Sequence, residues 1–267
     1  MATLLKGDCL KVMATLPDKS VDCFICDLPY GQLSAVSSKL PPKQYEGNHG
    51  VSTITGCPWD VKIDLAEFWK QVKRLCKNEH TPVLMFCNTR FGYELIKSNE
   101  KWFRYDLVWD KGHGVSFLLA NKMPMKSHEM VYVFSKAGAY YKRINIKGDF
   151  KFQDRSKVKP SNTTAYSFVA SGKCIPTGNI LAGERCPLSV ITISGSNGVK
   201  ARNQHPTEKP KELYEWLISR YCPEGGTVLD PTAGSFNSIL VARKLGFRAI
   251  GIEMDNNFYW KGVAKFA

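Results

Sequence analysis

Residues 227–255, TVLDPTAGSFNSILVARKLGFRAIGIEMD, constrain the fold of this chain more than any other stretch. An apolar strand runs to Asp230. A tight turn containing Gly234 follows, then an apolar helix that stops at Gly246, then a second strand ending at Glu253. A helix between two strands returns the chain to the start of the sheet, so the strands lie parallel. The same alternation recurs elsewhere. Apolar runs at 21–26, 82–87, 105–109 and 129–134 read as strands. Helical faces carry Leu65, Phe68, Trp69, Val72 and Leu75 within 63–77, and Leu213, Trp216, Leu217 and Tyr221 within 210–222. The pattern predicts an α/β domain with a mostly parallel central sheet.

The acid at the end of the second strand gives this unit a chemical use. A carboxylate placed there can accept hydrogen bonds from ribose hydroxyls, and Gly234 and Glu253 stand 19 residues apart, near the spacing of about 20 for such sites. The run Ala233-Gly234-Ser235-Phe236 has one glycine. That is too few for the loop that brings backbone against a pyrophosphate, and no Gly-Lys-Ser/Thr follows for a phosphate cradle. A ligand with a ribose and no phosphate fits better, and S-adenosylmethionine is such a ligand. An ordinary strand–helix turn with an unrelated acid is the alternative at this point.

Two stretches break the rhythm. Residues 31–60 form a long polar loop, and 142–204 are basic and rich in Asn, Ser, Thr and Gly. The chain has 37 Lys and Arg against 24 Asp and Glu, a net charge of +13. Residues 142–204 hold eleven of the bases and three of the acids, so eight of the thirteen net charges lie there. Such a segment is suited to a polyanion. It reads as an insertion that stays out of the main sheet.

The exit of the first strand carries Asp27-Leu28-Pro29-Tyr30. A β-turn set by Pro29 explains it locally. A carboxylate and a ring at a strand's C-terminal end can also hold a ligand. Cys23 and Cys26 are spaced as a metal pair, but both fall in a core strand with no completing His or Cys, so they read as buried thiols and no metal is expected. Nine irregularly spaced cysteines suggest a reducing compartment. No apolar run reaches the ~18 residues of a membrane span, and MATLLKGDCLK has no signal-peptide pattern. The expectation is a cytoplasmic protein without membrane contact.

Taken together, DLPY at 27–30, DPTAGS at 230–235 and HPTEKP at 205–210 resemble the amino DNA methyltransferases, which methylate an exocyclic base nitrogen. LLKGDCLK near the start, WD at 59–60, VWDK at 108–111 and HEMVYVF at 128–134 resemble the same family, so the likeness covers nearly everything but 142–204. The catalytic motif precedes the cofactor loop, which is the permuted order of the β subgroup. The resemblance implies a Rossmann-like methyltransferase fold in three parts: a catalytic half (1–141), a target-recognition insertion (142–204) and a cofactor half (205–267). It implies Asp27, Pro29 and Tyr30 as catalytic residues. It implies S-adenosylmethionine held by Asp8, Cys9, Thr207, Lys209, Asp230, Ala233, Gly234, Ser235 and Glu253. Asp230 and Gly234 would line the methionine portion. It further implies double-stranded DNA as partner, and homodimers are common in the subgroup. An aspartate opening the catalytic motif favours adenine N6. Cytosine N4, adenine in RNA and an inactive DNA-binding relative stay open. Leu28 and Phe236 depart from the family's pattern, which has proline and glycine there. Leu28 is the position of the motif expected to matter least. Phe236 would either crowd the cofactor or pack the wall that Thr232, in place of the usual Phe, leaves bare. His128 is expected to be a hydrogen-bonded core residue.

Overall fold

The structure is a computed structural model that describes residues 1–31, 61–115, 117–148, 183–194 and 208–266. Along the chain it has β1 (Ala2–Lys6), α1 (Cys9–Thr15), β2 (Cys23–Cys26), α2 (Leu65–Leu75), β3 (Val83–Cys87), α3 (Thr89–Ser98), β4 (Phe103–Val115) and β5 (Lys126–Phe134). There follow β6 (Ile146–Lys147), β7 (Glu184–Arg185), β8 (Val190–Thr192), α4 (Lys211–Tyr221), β9 (Thr227–Asp230), α5 (Asn237–Lys244), β10 (Arg248–Glu253) and α6 (Asn256–Ala264). Two compact units result, one of Met1–Lys142 with Ser189–Ala267, the other Arg143–Leu188.

The larger unit is built on an eight-stranded sheet in the order β1-β10-β9-β2-β3-β5-β4-β8. The strands from β1 to β3 are parallel, and β5 runs antiparallel to both β3 and β4. Strand alternation splits the core between two faces. Cys23 and Ile25 of β2 face α4 and α5, where Leu213, Leu217, Ile239 and Ala242 are buried. Phe24 and Cys26 face α1, α2 and α3, where Met13, Phe68, Val72 and Leu95 are buried. A strand covered on both faces reads as an unbroken apolar run, which is why VDCFIC and PVLMFC stand out in the sequence. The helices start on side-chain caps: Asp64 accepts the Ala66 and Glu67 N–H groups at α2, and Asn88 that of Phe91 at α3.

The same alternation separates the cysteine pair. Cys23 and Cys26 belong to opposite core faces, so they cannot grip one ion, and burial pushes both thiols well up.

The chain moves from β2 outward to β3 on one side and from β9 outward to β10 on the other. The C-terminal ends of β2 and β9 therefore open a crevice at the point where the winding reverses. In open parallel sheets this is where ligands sit.

Three features differ from the sequence reading. β1 is an unexpected strand at the sheet edge, paired only with β10. β4 extends from the expected apolar 105–109 through Val115, because pairing with β5 carries its polar end. The basic segment was expected to stay out of the main sheet, yet β8 joins its edge beside β4. Ile191 is the reason. It is buried between two exposed neighbours, and Trp109 donates its indole N–H to the Ile193 carbonyl at 2.9 Å.

The smaller unit has among its described residues one antiparallel ladder, β6 with β7. Asn145 donates to Glu184 beside it, at 3.0 Å. Most of 142–204 and of the 31–60 loop, including Trp59 and Asp60, lies outside the described residues.

Candidate active site

Asp27 leaves β2 into the crevice. Leu28, the next residue, is 1 % exposed and packs with Phe24 and Phe68. It is not the idle position of the motif, since it pins the loop to the core. Pro29 lines a cavity of about 450 Å³, as does Asp27. The Tyr30 hydroxyl donates to Asp27 Oδ1 at 3.0 Å, and its ring stacks on Phe91 at 4.9 Å between centroids. A local hydrogen bond and a ring contact thus fix the Asp-Leu-Pro-Tyr segment from within.

On the opposite wall, the loop after β9 presents Thr232, Ala233, Gly234 and Ser235 to the same cavity. Glu253 at the end of β10 orders this loop. Its Oε2 accepts the Gly234 N–H at 2.8 Å, and its Oε1 accepts the Asp255 N–H at 2.7 Å. Burial raises the Glu253 carboxyl above the usual range against those two bonds. Each oxygen keeps a lone pair for another donor. Asp8 and Cys9 line the far end, where one Asp8 oxygen caps α1 by accepting the Lys11 N–H at 3.1 Å. Burial pushes the Cys9 thiol up to about 12, so it is present as a neutral thiol.

Asp230 differs from its expected place. It is 3 % exposed and lies behind the cavity wall rather than on it. Its Oδ1 accepts the Thr232 N–H at 3.0 Å and its Oδ2 the Ser238 hydroxyl at 2.5 Å, so it ties the loop to α5. Burial pushes its carboxyl up to about 7.

Phe236 is fully buried, with its ring against Gly251, Gly262 and Tyr259, and it does not line the cavity. Neither expectation for it holds: it neither crowds the cavity nor packs the wall beside Thr232, because its ring turns under the loop into the core. Its backbone is left-handed at φ 60°, the conformation a glycine adopts without strain.

Lys209 reaches the catalytic side. Its Nζ lies 2.6 Å from Asp27 Oδ2 and 3.5 Å from Glu129 Oε2. Glu129 in turn bonds Lys111 at 2.6 Å. Burial pulls the Lys209 ammonium down, but the two carboxylates outweigh it and hold it above the ordinary lysine value. Burial pushes Glu129 up, and Lys209 and Lys111 outweigh this to leave it below the usual range. Thr207 lies outside the described residues.

Sequence reasoning overlooked Glu129 and Thr232. Glu129 is in phase with the buried Val131 and Val133 on β5, and an acid in phase with core positions is a signal that was available. Its neighbour His128 is exposed and does not belong to the core, because it lies toward the start of the strand, where burial falls off on both faces. The Thr232 hydroxyl donates to the Asp27 carbonyl at 3.1 Å and joins the two loops across the crevice. Nothing in the local sequence links two residues so far apart along the chain.

The Asp27 carboxylate, the glycine loop and the strand-end acid Glu253 thus line one cavity. The family model described as DNA methylase, N6_N4_Mtase, matches residues 21–263, and the chain belongs to that family. The Type II methyltransferase M.HinfI of Haemophilus influenzae is 26 % identical over 267 residues, 96 % of this chain; the chain spans 66 % of that protein's length. The crystal structure of the M1.HpyAVI–SAM complex aligns over 100 % of this chain and 99 % of its own at TM-score 0.58 and 17 % identity. The PvuII cytosine-N4-specific DNA methyltransferase aligns over 100 % of this chain and 86 % of its own at TM-score 0.62 and 17 % identity. The fold is that of these methyltransferases. No helix among the described residues is long and apolar enough to cross a membrane.

Proposed function

We propose that this chain is an S-adenosylmethionine-dependent methyltransferase acting on adenine N6 of a base flipped out of double-stranded DNA. One observation carries the reading: Asp27 and Pro29 share a single cavity with the glycine loop and Glu253. The residues present fit the cofactor. Clamped Glu253 keeps lone pairs for ribose hydroxyls, and Asp8 keeps an oxygen for an amino group. The cavity of about 450 Å³ falls in the range of nucleoside-sized sites.

When bound, the cofactor supplies an electrophilic methyl group on a sulfonium. The chain's own residues prepare the nucleophile. The exocyclic nitrogen of adenine is weak because its lone pair is delocalised into the ring. Asp27 and the Pro29 carbonyl would each accept one N–H, which favours a pyramidal nitrogen and supports the positive charge that develops there. Asp27, whose side chain is 21 % exposed, would also offer an acceptor for the proton that the nitrogen sheds. Tyr30, braced by Phe91, would stack on the base. A base within a duplex cannot reach such a crevice, so it must be flipped. The basic residues of 142–204 would hold phosphates, with a minority of side chains reading bases.

Aspartate at the head of the motif supports adenine, by resemblance to the family. The test is to express the chain in a host lacking adenine methylation and map modified bases on a plasmid by long-read sequencing, with nucleoside analysis of the product. N6-methyladenine is expected. N4-methylcytosine would replace the reading, and unmodified DNA beside methylated RNA would move it to another substrate.

A further inference from the structure

Four charged side chains of alternating sign run from the crevice into the sheet: Asp27, Lys209, Glu129 and Lys111. The first contact is 2.6 Å, the second 3.5 Å and the third 2.6 Å. Lys209 is 6 % exposed, and Lys111 and Glu129 are 13 % and 20 % exposed. A lysine that deep costs much to charge unless carboxylates surround it. Here two do. Lys209 also lies over the Phe86 ring, 5.2 Å from its centroid, which limits where its ammonium can move.

We propose that Lys209 is a positioning residue for the catalytic carboxylate, fixing Asp27 in one orientation beside a buried positive charge, with Glu129 and Lys111 holding Lys209 in place. The Tyr30 hydroxyl grips Asp27 Oδ1 and the ammonium grips Oδ2, so the carboxylate cannot rotate. Each oxygen keeps a lone pair toward the cavity, where the amino group would sit. The other titratable groups facing Asp27 are Asp230 from β9, Tyr214 from α4, Cys26 from β2 and Cys87 from β3. None of these is a cation. The cavity's other lysine, Lys62, is paired with Glu94 at 2.9 Å, so among the described residues Lys209 is the cation in contact with Asp27. Lys209 also lines the cavity, so the test has to separate this role from the contact to the methionine end of the cofactor that its sequence motif suggests. The proposal rests on the methyltransferase reading for its purpose, not for its test.

The variants are Lys209→Met and Glu129→Gln in the full chain, with Asp27→Asn used to assign the Asp27 carboxyl resonance in ¹³C spectra. In Lys209→Met the Asp27 resonance should titrate about one pH unit or more higher than in the parent protein, measured without any ligand. The acid limb of the methyl-transfer rate should move the same way. The Kd for S-adenosylmethionine by calorimetry should change by less than about threefold. Glu129→Gln, which keeps the lysine, should shift both titrations in the same direction by a smaller amount, and serves if the methionine variant does not fold. An unmoved Asp27 titration in folded variants overturns the proposal. So does a Kd weakened about tenfold with both titrations unmoved, which would make Lys209 a cofactor contact. If the parent methylates no nucleic acid, the functional reading fails while the titration of the free protein still decides the role of Lys209.

Discussion

Phe236 occupies space that Gly262 leaves open. A Cβ on Gly262 would overlap the Phe236 ring, and one on Gly251 would lie 2.9 Å from the same ring and 2.6 Å from Ile239 Cγ1. The family's second loop glycine is replaced here by a residue that turns under the loop, and two glycines on β10 and α6 make room for it.

Gly262→Ala should therefore destabilise the protein by about 1–3 kcal/mol, the cost of overpacking a filled core. The loss should be smaller in a Phe236→Ala background, and a double-mutant cycle from denaturant unfolding measures the difference. Independent, additive losses would show that the two residues do not compete for space.

Asp27→Asn keeps the shape of the side chain but removes the negative charge. Methyl transfer should fall by about 10²–10³-fold, the scale of losing one charge-stabilising group. Binding of S-adenosylmethionine should stay within a few-fold. Tritium transfer and calorimetry on the same preparation check both. Undiminished transfer would remove Asp27 from the mechanism.

Asp230 links stability to pH. Burial raises its carboxyl to about 7 in the folded protein, above the unfolded value of 3.8. The stabilising contribution of its protonated form is complete below pH 3.8 and is lost as pH rises to about 7. The free protein should thus lose up to about 4 kcal/mol from this group between those limits, at about 1.4 kcal/mol per unit. Asp230→Asn should flatten that slope and raise the melting temperature at pH 8 relative to pH 5. An unchanged slope would mean that the Ser238 and Thr232 bonds hold the charged form well enough to cancel burial.

Glu253→Ala removes the acceptor for two backbone donors, one of them on buried Gly234. Stability should fall by about 1–3 kcal/mol. Affinity for S-adenosylmethionine should fall at least tenfold, because the proposed ribose acceptor and the loop geometry are lost together. Calorimetry checks the affinity and thermal unfolding the stability. Intact affinity would place the ribose elsewhere.

The sequence by itself determined the parts that depend on short-range order. Periodicity is local, so VDCFIC, PVLMFC, TVLD and AIGIE declared buried strands, and helix faces and stops announced α2, α4 and α5. Asp27 and Glu253 stood out because each is an acid at a strand's end, and Gly234 because it lies in the tight turn between β9 and α5. Tertiary structure alone decided which of these ends meet. The strand order places the exits of β2 and β9 side by side, although Asp27 and Thr232 in the loop that faces it stand 205 residues apart along the chain. The packing of α5, β10 and α6 decides the retreat of Asp230 behind the wall and the turn of Phe236 into the core, while the Thr232 bond to the Asp27 carbonyl follows from that meeting. So does the chain of charges from Asp27 through Lys209 to Glu129 and Lys111. Burial turns those four side chains from ordinary surface charges into partners that need one another, and burial is a property of the assembled sheet rather than of any local stretch.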